Sequence, residues 1–361
     1  MIDQLVVGAS PGDAITAMAL RLRGLLSGRG SSTIYGLFRD PAMVDEVRPV
    51  TELPGHEHPS WRRRVLVVHA STGHEFLDHV LTARRDRMVL VWHNVTPPAF
   101  LAEVDPAAAA ALALGLAQVR AARGRWSACL ADSEFNAAVL RDMGYGDVVV
   151  LPAGLDVHRL ARLTPDPATL ARWQGDGPLV LAVGQLLPHK RPDLVVEAVA
   201  RLRAGRFPSA RLALVGHARL PALVDGLHRQ LAAAGLGRDA LVGVVDDAQL
   251  AALYARADVF VSASEHEGLG IPPLEALAAG VPVVARGAGA LPEVLGDAAV
   301  LVDPDAGAAG LGGALAQLLA EPERRASLAA AASGVLAGLD PDRLDQDFLR
   351  IVERVARGVA D

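Results

Sequence analysis

The sequence predicts an α/β chain built as two doubly wound domains, and three observations predict it. Short Val- and Leu-rich runs without polar alternation recur between longer helical patterns, as expected of parallel strands covered on both faces. The whole series runs twice, before and after a stretch at residues 155–176 that is rich in Pro, Gly and Asp. The length of 361 residues is more than one ordinary core holds, and two domains of usual size account for it.

In the first half the expected strands are residues 5–7, 33–37, 65–68, 88–92, 128–131 and 148–151, with helical patterns such as 14–26 and 135–143 in the gaps. In the second half they are 179–183, 211–215, 241–242, 259–261, 281–285 and 299–302. The expected domains are 1–160 and 161–343, followed by a helix at 344–361. Apolar residues at 344, 348, 351, 352, 355 and 359 give that tail a helical period, and Asp340-Pro341-Asp342 could return the chain to the first domain.

Composition narrows the function. A net charge of −6 argues against a nucleic-acid partner. The basic groups Arg62-Arg63-Arg64 and Arg84, Arg85, Arg87 read as solvated faces, with at most a weak membrane-surface contact. Cys129 stands alone, so no intrachain disulfide or Cys-based metal site is expected. The first residues read as a buried strand rather than a signal peptide, and the Ala-rich segment 107–122 is broken by Gly115 and Gln118, short of the roughly 18 apolar residues of a membrane span. A cytoplasmic protein is the expectation. Among the 35 Lys and Arg residues Lys190 is the one lysine, a compact point charge that Arg does not replace.

Residues 262–280, SASEHEGLGIPPLEALAAG, carry the most chemical information. They follow an apolar strand, Gly268 and Gly270 permit a tight turn and a close approach to a ligand, and Pro272 and Pro273 suit the first turn of a helix. A glycine-bearing turn into a helix start favours a phosphate. Glu267 and Glu275 flank the turn. One carboxylate is placed to hydrogen-bond ribose hydroxyls and the other to contact a transferred group; the plain alternative is a helix-dipole partner and a solvated side chain.

This segment resembles the Glu-x(seven)-Glu motif of the retaining glycosyltransferases of family four, and SEHEG followed by G-x-P-x-x-E-A resembles a bacterial branch of mannosyl- and rhamnosyltransferases. The resemblance implies a GT-B fold, two Rossmann-like domains facing across a cleft. It implies that Glu275 holds the ribose, that Glu267 faces the donor sugar, and that Gly268, Leu269, Gly270 and Ile271 receive the diphosphate. VLAVGQLLPHKRPDLVVEAVARL is similar to the family segment whose Arg and Lys bind that diphosphate. Lys190 matches the Lys. Gln185 stands where the family usually has Arg, a departure that leaves phosphate binding either weaker or supplemented by Arg191. The turn at 243–247, with Val245 at its centre, resembles the segment whose backbone meets the base. Gly287, Gly289 and Glu293 read as structural.

In the first half, Gly8 and Gly12 precede a helix in GASPGDAIT, a weak loop signal that the resemblance places near the donor or acceptor, with Asp13 beside it. His93 ends the strand in VLVWHNVTPP, where ligands of open α/β sheets bind, and the resemblance makes it a donor-sugar contact; His69 is a second candidate. Ser133 and Glu134 read as a helix cap with an acidic first turn, and Gly154 and Asp156 as the interdomain turn. His56-Glu57-His58 lacks a third metal partner. No metal and no cofactor are expected; the partners are a nucleotide-sugar donor and a glycan or small-molecule acceptor. The implied activity is retaining hexosyl transfer from GDP-mannose, with dTDP- or GDP-rhamnose and UDP-glucose next. The alternative is a non-catalytic nucleotide-sugar-binding subunit.

Overall fold

A computed structural model describes residues 1–55 and 64–358. The chain divides into two compact units, Met1–Leu155 with Asp340–Asp361, and Asp156–Leu339.

The first unit is a seven-stranded sheet of β1 (Ile2–Ala9), β2 (Ile34–Arg39), β3 (Arg48–Pro49), β4 (Val65–Ala70), β5 (Arg87–Trp92), β6 (Ala128–Ala131) and β7 (Val149–Val150), in the order β3-β2-β1-β4-β5-β6-β7. Every adjacent pair is parallel. Leu5, Leu66, Val68 and Met88 pack with the helix Glu75–Ala83 on one side, and Val6, Ile34 and Ala19 pack on the other. The second unit has β8 (Leu179–Val183), β9 (Arg211–Val215), β10 (Leu241–Gly243), β11 (Val259–Ser262), β12 (Val283–Arg286) and β13 (Ala299–Val302), in the order β10-β9-β8-β11-β12-β13, again all parallel. Both faces of β8 and β11 are covered, which is why their sequences are apolar throughout rather than alternating.

The strand order reverses between β1 and β4 in the first unit and between β8 and β11 in the second. Such switch points open a crevice at the carboxyl ends of the two strands, where loops diverge to opposite faces. The loops after β8 and β11 carry Lys190 and Glu267.

The helix Pro341–Arg357 belongs to the first unit. Asp340 caps it by accepting from the Arg343 amide at 2.8 Å, and Leu344, Phe348, Ile351, Val352 and Val355 are buried on the face toward β4 and β5. Arg21 pairs with Asp345 at 2.6 Å, Arg29 with Glu353, and Arg87 donates to the Ala356 carbonyl. Periodicity marks this helix's apolar stripe, and the strands it covers are found only in the structure.

Three expectations change. The run 148–151 contributes just Val149 and Val150, both exposed at the sheet edge, and β3 is a two-residue strand without an apolar run to announce it. Within the basic clusters, Arg64 and Arg84 are not solvated. Arg64 is fully buried, 3.5 Å from Asp3 and 3.4 Å from Asp86, and donates to the Pro54 carbonyl at 2.6 Å. Arg84 is buried against the same Asp86 at 2.6 Å, while Arg85 is exposed. Arg62, Arg63 and the His56-Glu57-His58 triplet lie outside the described residues. Among the described residues, no helix is long and apolar enough to cross a membrane.

The Arg64 network joins the start of β1 to the turn before β5. Burial pushes the Asp3 carboxyl up, with the Thr33 amide and Arg64 opposing that rise. Removing one member of a buried ion network leaves uncompensated charge behind. Arg64→Ala is therefore expected to destabilise the protein by about 3–5 kcal/mol in denaturant unfolding, whereas a change below about 1 kcal/mol would show that the network carries no weight.

Candidate active site

The site in the second unit is assembled from two loops at the carboxyl edge of the sheet. The chain leaves β11 at Ser262, crosses residues 263–270, and enters the helix Ile271–Ala278 through Gly270, whose φ of 85° lies in the left-handed region. A side chain on Gly270 would run into Leu291 and approach Pro273, so both the turn and its packing demand glycine. Pro272 and Pro273 carry no N–H, which leaves the amides of Gly270 and Ile271 as the donors nearest the positive end of the helix.

The loop after β8 is fastened to this turn in three places. The Glu265 amide donates to the His189 carbonyl at 2.7 Å, Arg191 Nη1 donates to Glu265 Oε1 at 2.7 Å, and Lys190 Nζ donates to Glu267 Oε1 at 2.8 Å. Lys190 and Glu267 are largely buried, with 25% and 12% of their side-chain surface exposed, so the pair is not free in solvent. Burial alone would raise the Glu267 carboxyl, but the charge and hydrogen bond of Lys190, joined by a hydrogen bond from Ser264, hold it below the ordinary carboxylate range. Glu267 is an anion here. Burial and the neighbouring Lys190 charge push His189 down to about 3, and burial also lowers His266, so both imidazoles beside the pair are neutral.

Gly289, at φ 60°, lies against the backbone of Glu267: an added Cβ would fall 2.5 Å from the Glu267 carbonyl oxygen and 2.7 Å from its nitrogen. The Ala290 amide donates to that carbonyl at 2.9 Å. The glycine loop after β12 therefore sets where Glu267 stands.

Arg191 has φ 49°, unusual for a side-chain-bearing residue, and precedes the helix Pro192–Ala204. Its guanidinium meets Asp193 at 2.8 Å as well as Glu265, and Arg286 shares Glu265 at 2.9 Å. Arg191, expected to supplement the phosphate cations, is paired in this structure. Two carboxylates neutralise it, and it holds the turn that presents Lys190. Gln185 is exposed and accepts from Arg219 Nη2 at 3.2 Å.

Glu275 faces the Tyr254 hydroxyl, which lies 3.2 Å from Glu275 Oε2 and 3.1 Å from the Pro272 carbonyl. Burial raises the Glu275 carboxyl to about 7, against the opposing hydrogen bond from Tyr254 and the charge of Arg159. Arg159 itself pairs with Asp247. Val245 is half-buried in the turn after β10, and its neighbour Val244 is 70% exposed; Asp246 and Gln249 close a capping box on the next helix.

In the first unit, His93 is half-buried at the end of β5 and both of its ring nitrogens are engaged. Nδ1 lies 2.7 Å from Asp132 Oδ2 and Nε2 lies 2.9 Å from His69 Nδ1. His69 Nε2 is 3.0 Å from Gln4 Oε1, and Gln4 Nε2 donates to the Ala19 carbonyl at 3.0 Å. That last bond orients the amide, so His69 donates to Gln4 and accepts from His93. Burial first, then the charge of His93, lowers His69 well below its usual value. His93, expected to contact a sugar, links β4 to the end of β6 in this structure. Gly12 has φ 74° with open space where a Cβ would project, and Asp13 caps the helix Ala14–Ser27 by accepting from the Thr16 amide at 2.8 Å. Ser133 caps the helix Glu134–Asp142, as its sequence position indicates.

Sequence reading missed Glu265, Ser264, Tyr254 and Arg286. Glu265 lies inside the quoted SEHEG run, but its partners come from other strands.

Residues 171–334 match the family described as Glycosyl transferases group 1. The matched residues fall within the second unit. A GDP-mannose-dependent alpha-(1-6)-phosphatidylinositol monomannoside mannosyltransferase of Mycolicibacterium smegmatis is 35% identical over 50% of this chain and 49% of its own length. A D-inositol 3-phosphate glycosyltransferase of Kineococcus radiotolerans is 33% identical over 65% of this chain and 58% of its own. The chain thus spans about half the length of the curated relatives it matches first. Among solved structures, sucrose-phosphate synthase from Thermosynechococcus elongatus superposes with a TM-score of 0.76 at 18% identity, covering 99% of both chains. HepE of Anabaena, in complex with UDP and glucose, gives 0.74 at 19%, covering 98% of this chain and 99% of its own. The fold class is GT-B.

The raised Glu275 carboxyl has a signed consequence. A carboxyl that holds its proton more tightly when folded adds stability that is fully present below about pH 4.5 and is lost as pH rises through about 7. In urea unfolding, the stability of wild type relative to Glu275→Gln should fall by roughly 2–3 kcal/mol between about pH 4.5 and pH 8. Parallel pH profiles for the two proteins would contradict the assignment.

Proposed function

We propose that this protein is a retaining glycosyltransferase that moves a mannosyl group from GDP-mannose to a hydroxyl of a glycan, lipid-linked or small-molecule acceptor. One observation carries the reading: within a glycosyl transferases group 1 domain, a buried Lys190–Glu267 pair stands at the switch point of the sheet, beside the turn into the helix Ile271–Ala278.

Each group has a role that follows from its charge. The diphosphate lies over the turn 268–271, where amides and the helix start favour an anion. Lys190 offers two further N–H groups beyond the one given to Glu267, and its charge offsets the negative charge that grows on the departing nucleotide. Glu267, ionised and fixed by Lys190 and the Gly289 loop, orients the donor sugar. Glu275, once deprotonated, accepts from the ribose hydroxyls. The bond from the anomeric carbon to the diphosphate oxygen breaks, the acceptor oxygen bonds to that carbon on the same face, and the acceptor proton passes to the departing phosphate oxygen. GDP-mannose leads because the first two curated relatives are named as GDP-mannose-dependent. No cofactor or metal enters this reading.

Glu267→Ala should lower mannosyl transfer by at least about a hundredfold, and Lys190→Ala should both weaken GDP binding and slow transfer. Donor-hydrolysis and transfer assays over a panel of GDP-, UDP- and dTDP-sugars check this. Near-wild-type rates in both variants would overturn the site assignment, and nucleotide-sugar binding without any turnover would favour the non-catalytic alternative.

A further inference from the structure

The loops at the carboxyl edge of β8, β9, β11 and β12 hold several cations, and nearly all are neutralised before any ligand arrives. Lys190 is paired with Glu267, Arg191 with Asp193 and Glu265, and Arg286 with Glu265. A nucleoside diphosphate brings at least two negative charges to this edge. Lys190 can lend its remaining N–H groups without leaving Glu267, but each of these pairs already offsets its own charge, so a cation that no carboxylate neutralises would add most to holding the diphosphate.

Arg219 meets that need. It is exposed, and it donates to the uncharged side-chain amide of Gln185, at 3.2 Å. Its position is also fixed by backbone. The Gly184 amide donates to the Val215 carbonyl at 3.0 Å, the Leu186 amide donates to the His217 carbonyl at 2.9 Å, and the Gly216 amide donates to the Gly243 carbonyl at 2.8 Å. Gly216 has φ 139°, and a side chain there would collide with the Gly184 carbonyl, so the loops after β8 and β9 approach as closely as backbone permits. The loop bearing Arg219 is thereby bound to the loop that continues to Lys190.

We propose that Arg219 is a diphosphate-binding residue, a guanidinium brought by the loop after β9 to the place where the loop after β8 presents the neutral Gln185. The inference rests on the nucleotide-sugar reading above. Gln185 acts as a positioning residue: its Oε1 holds Nη2 and leaves the remaining guanidinium N–H groups for phosphate oxygens, which a planar fork engages in pairs.

The test is calorimetric binding of GDP, UDP, dTDP and guanosine to the full chain and its variants. Arg219→Ala should weaken binding of the preferred nucleoside diphosphate about tenfold and leave guanosine unchanged, steepening no other dependence than that on phosphate. Arg219→Lys should recover part of the loss, and adding Gln185→Arg to Arg219→Ala should recover most of it, because the charge returns to the same place. Arg219 is exposed, so the melting temperature of each single variant should match wild type. Diphosphate affinity within twofold of wild type in Arg219→Ala, while Lys190→Ala is impaired, overturns the role of Arg219 and leaves the site reading standing. Failure of wild type to bind any nucleoside diphosphate overturns both.

Discussion

The candidate site depends on one buried ion pair between two loops that are 77 residues apart in sequence, Lys190 to Glu267. A lone carboxylate at this depth would hold its proton, and the charge and hydrogen bond of Lys190 keep Glu267 ionised instead. Each side chain fixes the other's place. The surrounding structure is spent on making that meeting reproducible. Arg191 takes a left-handed backbone to turn Lys190 toward the pair, Glu265 ties the two loops by amide and carboxylate alike, and Gly289 lets the next loop press on the Glu267 backbone. A point charge held by a carboxylate can still lend its other protons to a phosphate, which makes the pair a prepared seat rather than a closed bridge.

Topology puts the pair where a ligand can reach it. β8 and β11 are neighbours although two strands and three α-helices separate them in the chain, and their loops diverge from the point of reversal. Nothing in either loop alone creates this site. The sheet order does, and the order follows from the right-handed crossovers of a doubly wound chain.

Much of this was legible in the sequence because the relevant signals are local. Unbroken apolar runs report buried parallel strands, and the Gly-x-Gly-x-Pro-Pro spacing reports a turn into a helix, since Gly270 and the prolines act through their own backbone. Partners were not legible. The run Arg62-Arg63-Arg64 looks solvated until β1 and the turn before β5 bring Asp3 and Asp86 to Arg64. His93 sits at a strand end as expected, yet His69 and Asp132 arrive from β4 and the loop after β6 and occupy its ring, with Gln4 in turn holding His69. Arg191 reads as a free cation beside Lys190 until Glu265 and Asp193 are seen against it. A charged side chain's availability is a property of its neighbours, and those are set by long-range contacts. The same logic singles out Arg219, whose neighbour carries no charge.

The central claim concerns where an anion sits, and a crystal structure of the protein with a bound nucleoside diphosphate tests it most directly. The account requires phosphate oxygens within hydrogen-bond distance of Lys190 Nζ and of the Gly270 or Ile271 amide. A diphosphate bound away from that turn, with the Lys190–Glu267 pair untouched, would contradict it.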